Sequence, residues 1–355
     1  EAARAAGAGV LALPVPRLAN RLCGLAALPS ARPLTHVLLD SPGARRSLER
    51  LVAARPPDLV LAYCSSMARF ALESPLDRFP FVLDLVDVDS EKWRDLAGRT
   101  RGPMSWIYAR EARTLSAFER RAALAARSTL VVNERERTAL RAIAPEARIE
   151  VVENGVDLDR FRPPGQAATR HRAVFMGVLD YPPNEHAARW LVEAVWPRVR
   201  AVRPGASLLL LGASPTRRLL AAARGSPGVE VTGRVPDVAP HLWRSAVALA
   251  PLFTARGVQN KVLESIAAGL PVVVSPAVLE GLPDEVRGAC RVASDAEGVA
   301  SAILDLFTLS GAERRLVAES AALSGLNWAA RLSGLPALLD SALGPTSRIS
   351  QGAPS

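Results

Sequence analysis

Short apolar runs recur along the chain, separated by longer stretches in which apolar positions return every three or four residues. The short runs predict strands over residues 9–14, 58–62, 81–86, 129–132 and 149–152, with helices over 106–127 and 134–143. A second series predicts strands over 172–176, 207–211, 229–232, 247–250 and 271–274. Helical periodicity between them covers 184–202, 216–224, 238–245 and 258–268. Apolar strands alternating with helical stretches mean parallel sheets joined by crossover helices. Two such series predict two doubly wound α/β domains. The joint is marked by the turn dipeptide Asn154-Gly155 and a polar, Pro/Gly-rich stretch over 161–170. Asn327 is placed to cap a helix over 328–343, and 344–355 read as a disordered polar tail.

A chain of 355 residues is long enough for two domains. Hydrophobic residues make up 49% and aromatic ones 5%, which favours an aliphatic α/β interior. Cys23, Cys64 and Cys290 are far apart and have no nearby His, which argues against a disulfide framework or a zinc site and for a reducing, cytoplasmic setting. His36, His171, His186 and His241 have no partner at metal-ligand spacing. No apolar run is long enough to span a membrane, and no signal peptide is evident. The net charge of +9 is spread over many amphipathic segments rather than gathered in a dense block. A solvated surface or contact with anionic membrane is therefore expected, not nucleic-acid binding. Lys92 and Lys261 are the only lysines among a large majority of arginines. The chain opens on Glu1 within a helical pattern, and the expectation is that a segment precedes it.

The densest candidate chemistry lies in Pro251-Leu-Phe-Thr-Ala-Arg-Gly-Val-Gln-Asn-Lys-Val-Leu-Glu264. A buried strand ends, a glycine loop follows, and a helix begins. Helix N-termini beyond the carboxyl ends of parallel strands present free N–H groups and positive potential to phosphate. Gly257 allows close backbone approach, Arg256 and Lys261 add charge, and Glu264 can accept hydrogen bonds from a ribose diol. An ordinary crossover helix with surface charges gives the same local pattern. In the first half, Phe81-Val-Leu-Asp-Leu-Val-Asp-Val-Asp-Ser-Glu-Lys-Trp93 places Asp84, Asp87 and Asp89 on or just beyond a strand, expected to project to one side. Ser90, Lys92 and Trp93 are expected in a loop. Asp87 or Asp89 could orient a substrate hydroxyl or take its proton; either could instead cap the next helix.

The 251–274 segment resembles the donor-binding signature of glycosyltransferase family 4, with Glu264 at the second acidic position and Arg256 where the family has its first acid. The interdomain Asn154-Gly-Val-Asp157 and Phe161-Arg-Pro163 strings are similar to the family's turn, and Phe175-Met-Gly-Val-Leu-Asp-Tyr-Pro-Pro-Asn184 to the strand and loop opening its second domain. Many relatives carry an Arg and a Lys in that loop; Val178 and Pro183 stand there, and Arg256 with Lys261 are expected to supply the charge. The Val86-Asp-Val-Asp-Ser-Glu-Lys-Trp93 string resembles the subgroup associated with PEP-CTERM/exosortase exopolysaccharide systems, in which a further strand and glycine-containing loop come first.

The resemblance implies a GT-B fold: two Rossmann-like domains facing across a cleft. It puts the acceptor domain at 1–160, completed by the helix 327–343, and the donor domain at 171–326. It implies a nucleoside diphosphate sugar as donor, a glycan or lipid-linked acceptor, retention of configuration, no obligatory metal or cofactor, and a place in the cytoplasm or on the inner face of the membrane. Donor-binding residues would be Gly177, Asn184, Gly212, Gly233, Arg234, Val235, Arg256, Gly257, Val258, Gln259, Lys261 and Glu264; catalytic ones Asp87, Asp89, Arg256 and Lys261. Two alternatives stay open. A nucleotide-sugar epimerase shares the architecture, and a degenerate GT-B scaffold would explain Arg256 and the Val86 position, where relatives often carry a His. A dehydrogenase is disfavoured, since Gly7-Ala-Gly9 follows a helical pattern instead of a strand.

Overall fold

The apolar runs become the strands of two all-parallel sheets. A computed structural model of the chain describes residues 9–165, 171–255 and 257–344. It divides into two compact units, one ending at Val152 and regaining the chain from Gly334, the other spanning Glu153–Ser333.

In the first unit, β1 (Val60–Tyr63), β2 (Phe81–Val86), β3 (Ser128–Val131) and β4 (Ile149–Val151) lie side by side in chain order. Helices precede and separate them: α1 (Arg17–Ala27), α2 (Asp89–Arg99) and the long α3 (Pro103–Ala125), which starts on Pro103 after Gly102 at φ 79°. Leu83, Leu85, Phe118, Val131 and Leu140 form the core on one sheet face. The returning helix Leu335–Leu343 covers Val82 and Leu130 on the other. Alternate residues of a strand point to opposite faces, so both faces of β2 and β3 are covered and both strands read as apolar runs.

Several expectations are corrected here. Residues 9–14 form no strand; they lie at the surface with Val10 and Leu11 exposed, because no neighbouring strand pairs with them. Ser90, Lys92 and Trp93 are not in a loop: α2 begins at Asp89, with Asp89 and Glu91 in its first turn, where the helix dipole favours carboxylates. The three carboxylates do not continue one alternation, since the β2–β3 register shifts between Asp84 and Val86 and Val86 adopts φ 66°. A positive φ is costly for a β-branched residue, and it redirects the chain leaving β2. The predicted helix over 328–343 is two helices, Trp328–Arg331 and Leu335–Leu343, split around Gly334 with Pro336 starting the second. The helix expected over 184–202 begins earlier, as α4 (Pro182–Trp190), and passes through a π-helical turn, Leu191–Val195, before Trp196–Val202.

The second unit holds β5 (Arg172–Met176), β6 (Ser207–Leu211), β7 (Val229–Gly233), β8 (Val247–Ala250), β9 (Val272–Val274) and β10 (Cys290–Val292) in the order β10-β9-β8-β5-β6-β7. Phe175, Leu208, Leu209, Leu210, Val273 and Val274 are fully buried, since helices cover both faces. From β5 the chain winds outward through β6 and β7, then returns to β5's other edge as β8 and winds the opposite way. The β5/β8 junction is therefore the switch point of the sheet, the place where open α/β sheets bind ligands beyond the strands' carboxyl ends. The helix after β8 is α5 (Asn260–Ala267). Residues 1–6, which the sequence reads as a helical pattern, Gly7 and 345–355 of the tail fall outside the described residues, as do 166–170 of the joint.

Candidate functional site

Two loops meet at the switch point, one after β5 and one after β8. The β8 loop passes Gly257, whose φ of 66° favours glycine. A Cβ on Gly281 would fall 2.7 Å from the Gly257 carbonyl oxygen, so these two backbones also lie in close contact. Helix α5 then starts after Gln259 without a side-chain cap and without an acid in its first turn. Its first N–H groups keep their positive potential. Val262, Leu263 and Ile266 bury the inner side of α5 while Lys261 and Glu264 stay half-buried one turn apart.

The β5 loop is built on tight backbone contact. A Cβ on Gly212, at φ 156°, would come within 1.7 Å of the Gly177 carbonyl oxygen. A Cβ on Gly177 would lie 2.7 Å from Asn184 Nδ2 and 3.1 Å from Lys261 Nζ. Asn184, buried in the first turn of α4, donates from Nδ2 to the Val178 carbonyl at 3.0 Å. Its Oδ1 accepts from Lys261 Nζ at 2.7 Å. The ammonium also stands 5.0 Å from the centre of the Phe175 ring. Burial lowers the Lys261 pKa to about 8, with Glu264 pulling it upward. Burial raises the Glu264 carboxyl above its ordinary value, while the charges of Arg160 and Lys261 oppose the rise. Arg160 in turn pairs with Asp237 at 3.0 Å and, by hydrogen bonding, holds that carboxyl low. His186 stacks on Phe253 at 4.5 Å and Trp190 meets the same ring edge-on at 5.1 Å, fastening α4 to the β8 loop.

The structure thus brings Gly177, Asn184 and Lys261 into direct contact and seats Gly212 against Gly177. Gly233, at φ 70°, ends β7 two strands from β5, with Arg234 exposed and Val235 packed on the core. Val258 is buried and supports the loop. Arg256 lies outside the described residues. Sequence reasoning missed Phe175, Arg160 and Gly281. Phe175 was hidden inside a strand, and Gly281 lies in a segment with no periodic signal. Arg160 was visible in Asp157-Leu-Asp-Arg160 but had no spacing tying it to Glu264.

The first unit holds its own polar cluster. Asp89 Oδ2 accepts from Ser65 Oγ at 3.1 Å, and burial raises its pKa against the opposing charge of Lys92. Glu119, fully buried on α3, accepts from the Ser90 backbone N–H at 3.1 Å, and burial pushes its carboxyl up to about 7. Glu136 accepts from the Val88 N–H at 2.7 Å. Asp87, half-buried, sits between these two anchored backbone positions and the strained Val86. Burial against Phe118 pushes His36 down to about 4, a neutral core histidine. Among the described residues no three His, Cys, Asp or Glu side chains gather as a metal site.

With this geometry in view, comparison with known proteins gives one family match. Residues 170–308 match the family model described as Glycosyl transferases group 1. The match covers most of the second unit. Among solved structures, sucrose-phosphate synthase from Thermosynechococcus elongatus aligns with a TM-score of 0.67 at 18% identity, over 84% of this chain and 77% of that one. Anabaena HepE, in complex with UDP and glucose, aligns with a TM-score of 0.64 at 14% identity, over 83% of this chain and 81% of that one. TarM aligns with a TM-score of 0.62 at 13% identity over 83% of this chain, which spans 57% of TarM's length. At these identities the likeness establishes the fold, which is GT-B. Curated protein sequences give no match.

Proposed function

We propose that the protein is a glycosyltransferase that takes its sugar from a nucleoside diphosphate sugar held by the second unit. The carrying observation is Lys261. A half-buried cation is fixed at the sheet's switch point by Asn184, between a glycine cradle and the uncapped start of α5. An ammonium costs free energy to bury, and an anion arriving beside it recovers that cost. The group 1 match of residues 170–308 supports the same reading.

In this reading the diphosphate lies against the N–H groups of α5 and Lys261, and Glu264 accepts hydrogen bonds from the ribose. Lys261 and the helix N-terminus stabilise the negative charge that builds on the departing diphosphate. Arg256 would add a second cation. Gly233, Arg234 and Val235 would line the base, and Asp87 or Asp89 would orient the acceptor hydroxyl. The acceptor is a glycan or lipid-linked glycan of a cell-surface polysaccharide, the configuration is retained, and no metal or cofactor is obligatory. The enzyme works in the cytoplasm, in peripheral contact with the inner face of the membrane.

Calorimetric titration of the folded chain with UDP, GDP and ADP tests the donor half. One diphosphate should bind, and Lys261→Met should weaken it about 100-fold, the loss of a charge-assisted contact worth ~2–3 kcal/mol. A folded chain that binds none of the three sinks the proposal. The anomeric configuration of the transferred sugar, read by NMR with a glycan acceptor, tests retention.

A further inference from the structure

The leucines of α1 point away from the protein. Asn20 and Gly24 are the buried residues of this helix, and Asn20 Nδ2 donates to the carbonyls of Leu38 and Asp40 at 3.1 and 2.8 Å. Leu18, Leu22 and Leu25 are 78%, 70% and 66% exposed. With about 3.6 residues per turn, that stripe lies roughly half a turn from the Asn20–Gly24 side. A surface helix ordinarily turns its apolar stripe inward. Here the polar Asn faces in and the leucines face out.

The helix is firmly attached. Arg110 of α3, 3% exposed, donates to the carbonyls of Ala27, Leu28, Ser30 and Arg32 at 2.5 to 2.9 Å. Glu111 accepts from the N–H groups of Leu34 and Thr35 at 2.7 and 2.8 Å. The end of α1 is thereby pinned to α3, where Leu28 and Trp106 line a common cavity bordered by Arg113. Trp106 and Met104 are 58% and 44% exposed.

The charge on this side is predominantly positive, for Asp40 beside α1 is paired with Arg69 and Glu146 with Arg120. From Gly9 to Leu39 there is no Asp or Glu, while Arg17, Arg21 and Arg32 are all present. The acids of α3, Glu111 and Glu119, are buried at 2% and 0% exposure, whereas Arg113, Arg120 and Arg121 are exposed. An exposed apolar stripe rimmed by cations and an exposed Trp has the chemistry of an interfacial helix: leucines at the acyl boundary, Trp at headgroup level, arginines on lipid phosphate.

We infer that α1 and the Trp106 end of α3 form a docking surface for an anionic lipid bilayer. A second copy of the chain is a poor occupant, because a symmetric contact would set Arg17 and Arg21 against their own like charge. The inference deepens the membrane contact of the proposed function, and its geometry lies wholly within the first unit.

The test is co-sedimentation of the whole chain with vesicles of phosphatidylcholine, alone or with a third phosphatidylglycerol. The chain should partition onto the anionic vesicles at least about tenfold more strongly than onto the neutral ones, and less as salt rises. Leu18→Ser/Leu22→Ser/Leu25→Ser and Arg17→Glu/Arg21→Glu should each lower partition about tenfold or more. Leu316→Ser, at a leucine 66% exposed in the second unit, should leave it unchanged. Circular dichroism confirms folding of each variant, and sedimentation velocity its oligomeric state. The inference fails if the chain stays in the supernatant, binds neutral vesicles equally well, or keeps its partition in the leucine variant. It also fails if the wild type is a dimer that the leucine variant dissolves, for the stripe is then a contact between copies. UDP titration of the wild type separates the outcomes: no lipid binding alongside intact nucleotide binding overturns this inference alone.

Discussion

Asn184 accepts a 2.7 Å hydrogen bond from Lys261, joining the helix after β5 to the helix after β8. The amide uses its other end on the Val178 carbonyl, so the lysine is held in one place. Asn184→Leu should therefore weaken diphosphate binding about tenfold by releasing Lys261 and leaving polar groups unpaired. In the Lys261→Met background the same change should cost much less. Titration calorimetry on the double-mutant cycle reads the coupling, and strict additivity would show that the two residues act separately.

The lowered pKa of Lys261 gives a pH dependence with a defined sign. Below about pH 8 the free site already carries its charge. Above it the ammonium has lost its proton, and a diphosphate must draw one back, since an adjacent anion favours the charged form. Diphosphate affinity should hold steady up to pH 8 and then fall by as much as about tenfold per pH unit. Titrations in buffers of different ionisation enthalpy should show net proton uptake above pH 8 and little below. Lys261→Met should flatten the profile.

The proposed function assigns the ribose to Glu264. Glu264→Gln keeps the shape but loses the charged acceptor, and should cost about tenfold in UDP affinity. The loss should shrink when 2′-deoxy-UDP replaces UDP. Equal losses for both nucleotides would remove the ribose from this residue's role.

Gly177 and Gly212 should respond differently to alanine. Gly212→Ala drives a methyl onto the Gly177 carbonyl, with a clash at 1.7 Å against backbone that has nowhere to go. It should destabilise the second unit by about 3 kcal/mol or more in denaturant unfolding. Gly177→Ala meets the side-chain ends of Asn184 and Lys261, which can shift. It should leave folding mostly intact and impair binding.

Glu119 predicts a pH-dependent stability in the first unit. Its carboxyl sits at about 7 in the fold against 4.5 ordinarily, so the fold holds a proton that the unfolded chain releases. The favourable state is fully present below pH 4.5 and is lost as pH rises through 7, by an amount on the order of 3 kcal/mol. Glu119→Gln, which keeps an oxygen for the Ser90 N–H, should change little at pH 4.5 and stabilise at pH 8. Unfolding curves at both values decide it.

Much of this was legible in the sequence, for a physical reason. Residues 172–176, 207–211 and 247–250 were read with the bounds they have, because central strands covered on both faces leave unbroken apolar runs. β10 was missed: it is an edge strand of three residues with Arg291 and Val292 exposed. Helix α1 was missed although Leu18, Leu22 and Leu25 stand at helical spacing, and α2 because its opening Asp-Ser-Glu reads like a loop. Asn184 and Lys261 were both named as donor-site residues, yet their bond could not be foreseen. It depends on which strands become neighbours, and β8 returning beside β5 is a property of the whole sheet. The strain at Val86 has no local sequence signal at all.

The site of Lys261 also has a consequence for chemical reactivity. With Lys92 it makes up all the lysine of the chain. Acylating reagents attack only the neutral amine. An amine titrating near 8 is neutral in appreciable fraction at pH 7.5, where an ordinary lysine is almost wholly blocked by its proton. In a protein whose cations are nearly all guanidinium, Lys261 is thus an amine primed for covalent attachment, at the position where the proposed diphosphate would shield it.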